Sequence, residues 1–231
     1  MVEYEIKDGV GIMENPWKNI SWDNLIADCD KAILKNLPEK RRSEIQTSTL
    51  PEPFIGNPNS NVILLNMNPG EEDKKFYRSE TWLKKMQATL RHETETFMWL
   101  EEEITDNNGQ IHGGCKWWQK KTKIMREMKL PANFFVLEFF PYHSKKSIIF
   151  PKLPSDKYRN LLLAETIEKE KLIVIMRAQS KWYGIKENGL GEKLKKYDKK
   201  IILSNPQNPA LSPNNMKDAW SLFKKEIEKG R

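Results

Sequence analysis

Residues 61–70 read Asn61-Val62-Ile63-Leu64-Leu65-Asn66-Met67-Asn68-Pro69-Gly70. Four consecutive aliphatic side chains cannot alternate between a wet and a dry face, so the run predicts a strand covered on both sides. Pro69 and Gly70 end it sharply and open a helix, which leaves Asn68 at the strand's carboxyl end. Three more continuous apolar runs follow, at residues 134–139, 172–176 and 201–204. Helical patterns lie between them. Residues 72–92 carry Phe76, Leu83, Met86 and Leu90, and residues 115–129 carry Trp117, Ile124, Met125 and Met128. The helix over 155–169 starts at Ser155, a good N-cap residue. The last helix opens with Ser212-Pro213 and carries the stripe Met216, Ala219, Trp220, Phe223 and Ile227. Spacing also predicts a helix over 22–35, with Trp22, Leu25, Ile26, Cys29 and Ile33 on its apolar face.

Strands separated by helices imply right-handed crossovers. The expected fold is therefore α/β and three-layered, a four-stranded parallel sheet with helices on both faces. The 231 residues suit one large domain, with a helical extension over about residues 1–50. Ligands of such sheets bind beyond the carboxyl ends of the strands. That directs attention to residues 66–73, 140–146, 177–183 and 205–213.

Composition narrows the setting. Nothing approaches ~18 consecutive apolar residues, and the N-terminus lacks a basic region followed by an apolar core, so neither a span nor a signal peptide is expected. Cys29 and Cys115 are the only cysteines; they match no metal spacing and cannot supply an iron–sulfur cluster. Cys29 reads as a buried structural thiol, and a reducing cytoplasm fits. The net charge of +7 permits a polyanionic partner without requiring one, since lysine-rich helix faces are usually only solvated surface.

Two post-strand segments carry chemistry. In the first, Asn68 either faces the cleft or simply caps a strand-to-helix turn. The second reads Ser204-Asn205-Pro206-Gln207-Asn208-Pro209-Ala210-Leu211-Ser212-Pro213, a loop stiffened by prolines that feeds a helix N-terminus. Together, Met-Asn-Pro-Gly at an early strand end and an Asn-Pro loop at a late one resemble the two motifs of the uracil-DNA glycosylase superfamily, in its single-strand-selective and mismatch-specific branches. The lead-in Glu52-Pro53-Phe54-Ile55-Gly56-Asn57-Pro58 is also similar. By element order the resemblance spans roughly residues 50–228.

The resemblance implies roles. Asn68 would position the water that attacks the sugar, and Asn205 would donate to the leaving base. Leu211 or Pro209 would enter the duplex behind a flipped nucleotide, with Asn208 beside them on the DNA. Phe76, Tyr77 or Trp82 would stack on the base. Tyr142 would line the substrate pocket, and Lys145 and Lys146 would contact phosphates. The chain departs from the pattern at Asn66, where the family has glycine, and in lacking the histidine of the second motif. His143 either replaces that histidine or is a surface imidazole. Glu138 stands where an asparagine usually reads the base; an ionised glutamate there would disfavour uracil, unless Glu138 points away. His92 and His112 lie in polar surroundings and suggest nothing. The implied activity is a DNA N-glycosylase, without cofactor or metal, acting as a monomer on damaged, mismatched or single-stranded DNA. The alternatives are a non-catalytic nucleic-acid-binding relative and a small-molecule nucleoside hydrolase.

Overall fold

A computed structural model describes residues 13–72, 79–106, 108–144 and 149–229. Among these residues, seven strands form two sheets. The strands are β1 (Ile45–Gln46), β2 (Phe54–Gly56), β3 (Val62–Leu65), β4 (Phe134–Leu137), β5 (His143–Ser144), β6 (Leu172–Ile175) and β7 (Lys200–Ile202). The main sheet has five strands in the order β2-β4-β3-β6-β7. The four apolar runs are its parallel members, as expected. Every residue of β3, β4 and β6 is buried, so both faces of the central sheet are covered. The expectation of four strands is corrected by β2, which adds an antiparallel edge against β4. This strand has three residues, flanked by Pro53 and Pro58, and Gly56 sits at φ +95°. A Cβ there would lie 2.4 Å from the Phe134 carbonyl oxygen, so the pairing needs glycine. A short strand between prolines carries almost no signal in sequence.

The helices are α1 (Lys31–Lys35), α2 (Glu39–Arg42), α3 (Glu80–Leu90), α4 (Met98–Glu101), α5 (Gly113–Lys121), α6 (Lys123–Glu127), α7 (Asp156–Glu168), α8 (Gln179–Tyr183), α9 (Leu190–Lys196), α10 (Pro213–Met216) and α11 (Trp220–Glu228). The last predicted helix is interrupted at Lys217, whose φ is +51°, but Met216, Trp220, Phe223 and Ile227 are buried as their spacing required. No helix among the described residues is long and apolar enough to cross a membrane.

The N-terminal helix over 22–35 is corrected to a 3₁₀ turn at Asp28–Asp30 followed by α1. Its facing is corrected as well: Cys29 is exposed, and Ile33 is 40% exposed. The cause is Asp30, which is fully buried. Its carboxylate accepts from the Tyr142 hydroxyl at 3.0 Å, from Ser155 Oγ at 2.7 Å and from the Ser155 amide at 3.0 Å. Consecutive helical residues point about 100° apart, so turning Asp30 inward turns Cys29 out. Ser155 is thereby drawn away from capping α7, and its side chain makes no cap bond.

Candidate functional site

A cavity of about 260 Å³ lies beyond the carboxyl ends of β3 and β4. Asn66 and Asn68 follow β3, and Glu138 follows β4. Because these strands are parallel neighbours in register, with Leu65 opposite Leu137, the next residues of both arrive side by side. Asn66 Nδ2 donates to Glu138 Oε1 at 2.8 Å. Trp182 Nε1 donates to the Asn66 carbonyl at 2.9 Å and fixes the backbone there. Asn66 Oδ1 and Glu138 Oε2 are buried on the cavity wall with no hydrogen-bond partner among the described residues.

Burial pushes the Glu138 carboxyl up to about 8; Glu52 adds to the shift, while the Asn66 hydrogen bond, Arg177 and His143 oppose it. The group is therefore largely protonated at neutral pH. It offers an O–H donor as well.

Asn68 lines the same cavity and is 8% exposed. Its Nδ2 donates to the Pro69 carbonyl at 2.6 Å and to Ser144 Oγ at 2.9 Å. Both amide hydrogens are thus taken up inside the protein, and the side chain can offer a ligand or water only Oδ1.

The small second sheet supplies the opposite wall. Strands β1 and β5 pair antiparallel, with Ile45 opposite Ser144 and Gln46 opposite His143. The Gln46 side chain reaches onward to Glu72, accepting from its amide at 2.8 Å and donating to its carbonyl at 3.4 Å. Glu52 is anchored by its amide, which donates to the Pro141 carbonyl at 2.9 Å. Glu52 and Glu72, from two loops, therefore converge with His143 of β5, all buried. His143 Nδ1 lies 2.7 Å from the Gly70 carbonyl, which can only accept, so that nitrogen carries a proton. His143 Nε2 lies 3.5 Å from Glu52 Oε1. Burial alone would lower the His143 pKa, but Glu52, Glu72 and the Gly70 bond outweigh it and hold the ring above its ordinary value.

His112 completes the wall. Its Nδ1 accepts from the Gly114 amide at 3.0 Å and caps α5, and its Nε2 lies 3.0 Å from Glu72 Oε1. The ring stacks on Trp99 with centroids 4.5 Å apart. Gly114 permits this packing, since a Cβ there would sit 2.8 Å from the Trp99 ring. Trp99, Trp117 and Trp118 give the cavity an aromatic side, and Arg177 gives it a cation.

The structure thus gathers Asn68, Glu138 and His143, with the last fully interior rather than on a surface loop. Other expected residues lie elsewhere. Asn205 is exposed and is not on the cavity wall; its Oδ1 accepts from the amides of Gln207 and Asn208, which shapes the loop. The loop still reaches the cavity's edge, because the Pro206 carbonyl accepts from Arg177 Nε at 3.1 Å. Leu211 and Pro209 are both buried, so neither stands free to enter a duplex; that role is withdrawn for this conformation. The Leu211 amide is tied to the Lys121 carbonyl, and Asn208 Oδ1 accepts from Lys121 Nζ at 2.6 Å. Tyr142 is also removed from the substrate wall, since it is fully buried and holds Asp30. Trp82 is buried behind the site, against His112 and His143, rather than open to a base. Phe76, Tyr77, Lys145 and Lys146 lie outside the described residues.

Sequence reasoning missed Glu52, Glu72, His112 and the three tryptophans. The dismissal of His112 is corrected by its 1% exposure and its place on the wall. Its neighbours in sequence are polar, and its burial comes from Trp99 and Trp82, which local pattern cannot reveal. Comparisons with protein-family models, with curated proteins and with solved structures found no match.

Proposed function

We propose that this chain hydrolyses the N-glycosidic bond of a nucleobase, as a divergent DNA N-glycosylase acting on a damaged or mismatched base. The observation that carries the reading is the fixed amide of Asn68 in one cavity with the half-paired Asn66–Glu138 couple. The cavity lies below the ~300–1,000 Å³ of drug-sized sites, which suits one ring system better than a dinucleotide. Its tryptophans offer π-faces on which any base can stack, at about 1–3 kcal/mol per base.

A protonated Glu138 changes which base edge fits. Its Oε2 can donate while Asn66 Oδ1 accepts, so the couple matches an edge with a carbonyl beside an N–H. Uracil has such an edge, at O4 and N3–H. Ionised, the same couple would present two acceptors and reject it. In the reaction, Asn68 Oδ1 would accept from the attacking water. An amide is too weak a base to take its proton early, so the rate would come from stabilising the departing base and the cationic sugar.

Burial of Pro209 and Leu211 favours a second reading, hydrolysis of a free nucleoside, because neither of these two side chains stands ready to hold a duplex open. One experiment separates them. Oligonucleotides with different lesion bases, and the matching free nucleosides, are incubated with the protein. Abasic sites are detected by alkaline cleavage and released bases by chromatography. Abasic sites that form with wild type and fail with Asn68→Ala support the glycosylase. Base release from nucleosides alone supports the second reading, and no release from either substrate refutes both.

A further inference from the structure

The glycosidase reading uses Asn66, Asn68 and Glu138 and leaves a second cluster lining the same cavity without a task. We propose that Glu52, Glu72 and His143 bind one divalent transition-metal ion. One ligand atom from each lies within 4.8 Å of the others, and all three side chains are buried.

Electrostatics calls for a cation there. Two carboxylates taken out of water need a positive partner, or they cost several kcal/mol each. The groups facing them are the His143 and His112 imidazoles; Arg177, also on the cavity wall, gives its Nε to the Pro206 carbonyl.

The tautomers give the cluster a direction. The Gly70 carbonyl fixes the proton on His143 Nδ1, so the neutral ring has its lone pair on Nε2, and that nitrogen lies 3.5 Å from Glu52 Oε1. A lone pair facing a carboxylate oxygen is repulsive unless a proton or a metal lies between them. Two donors about 2.1 Å from a tetrahedral zinc are about 3.4 Å apart, which matches this spacing. His112 has the opposite arrangement. Its Nδ1 accepts from the Gly114 amide, which leaves the proton on Nε2, 3.0 Å from Glu72 Oε1. It thus packs against a carboxylate ligand, while the Gly70 carbonyl orients the histidine; such supporting contacts accompany metal ligands generally.

The donor set selects the ion. Imidazole with carboxylates suits zinc, iron or manganese, whereas magnesium and calcium take oxygen alone. Three protein ligands that line the cavity would leave a coordination position free, the pattern of metal sites that hold a water or substrate. Binding needs a neutral His143, so any proton held at Nε2 is released when the ion enters.

The test uses the full chain and the metal alone, so its outcome is independent of the glycosidase reading. Cys29→Ser serves as background, because an exposed thiol can capture zinc by itself. The protein is stripped with chelator and titrated with Zn²⁺ by calorimetry, then with Co²⁺ by visible absorption. One ion per chain is expected, with the intense bands of four-coordinate Co²⁺ and a higher melting temperature on loading. Glu52→Gln, Glu72→Gln and His143→Gln should each weaken affinity about 10-fold or more. Glu192→Gln, an exposed control, should not. The two glutamine variants at Glu52 and Glu72 keep size and shape, so they carry the test if His143→Gln fails to fold. No saturable zinc binding, or binding that survives Glu52→Gln and Glu72→Gln within twofold, would overturn the proposal; the cluster would then hold a proton instead.

Discussion

Replacing Glu138 by glutamine removes a charge that the folded chain resists forming. The carboxyl is buried and held up from 4.5 to about 8. Below about pH 4.5 both folded and unfolded chains hold the proton. Between that value and about 8 the unfolded chain releases it and the folded chain keeps it, so folding stability falls as pH rises. The slope reaches about 1.4 kcal/mol per pH unit, and the whole interval amounts to about 4–5 kcal/mol at most. Glu138→Gln has no such group and keeps an acceptor for Asn66 Nδ2. Urea unfolding of both proteins, followed by tryptophan fluorescence at intervals from about pH 5 to about pH 9, gives the difference directly; groups common to both cancel. The two should be nearly level at the acid end, with the variant gaining steadily on wild type toward the alkaline end. Parallel stability curves across this range would refute the idea that Glu138 is protonated in the folded state. The same substitution bears on function. If base reading requires a donor at Oε2, glutamine can supply one, and removal of the preferred base should persist above the pH at which wild type loses it.

Three further outcomes follow from the structure. Asn68→Ala should lower the rate of base removal by about 10²–10³ while near-ultraviolet circular dichroism stays unchanged; full turnover in that variant would disprove its placement of the water. Asp30→Ala leaves the Tyr142 hydroxyl and both Ser155 donors without their shared acceptor and should cost about 3–5 kcal/mol in urea unfolding, with less than about 1 kcal/mol counting against the network. His92 is held down to about 4 by burial, beside the Tyr158 hydroxyl and stacked on Phe54. Its contribution is therefore complete above about pH 6.5 and lost as the pH falls toward 4, by about 3 kcal/mol at most, and His92→Asn should flatten that acid limb.

The parallel strands were legible because a strand buried on both faces must be apolar without interruption. Ending such strands with Asn66-Met67-Asn68-Pro69-Gly70 and with Glu138 also placed those polar residues at the carboxyl edge, and the sheet's register did the rest. What stayed hidden depends on contacts distant in sequence. Glu72 looks like a solvated residue until Gln46 and His112 are seen to hold it. Cys29 looks like part of an apolar stripe until Asp30 is given its donors from Tyr142 and Ser155. Leu211 looks like an exposed tip until the Lys121 carbonyl takes its amide. In each case a polar tie outside the local window fixed which face was buried.

The pairing of β1 with β5 is only two residues long, yet it sets both Gln46 and His143. The five strands of the main sheet need neither. A fragment beginning near residue 50 would retain every one of those strands and lose the partner of His143 and the tether of Glu72. Removing that segment would therefore leave one side of the cavity unmade, and it would also take Trp17, Ile20, Leu34 and the Asp30 carboxylate out of the core. The floor of this cavity belongs to the sheet, and one side is positioned by a segment outside it. A change confined to Gln46 can alter what the cavity accepts while leaving the apolar side chains of the segment in the core.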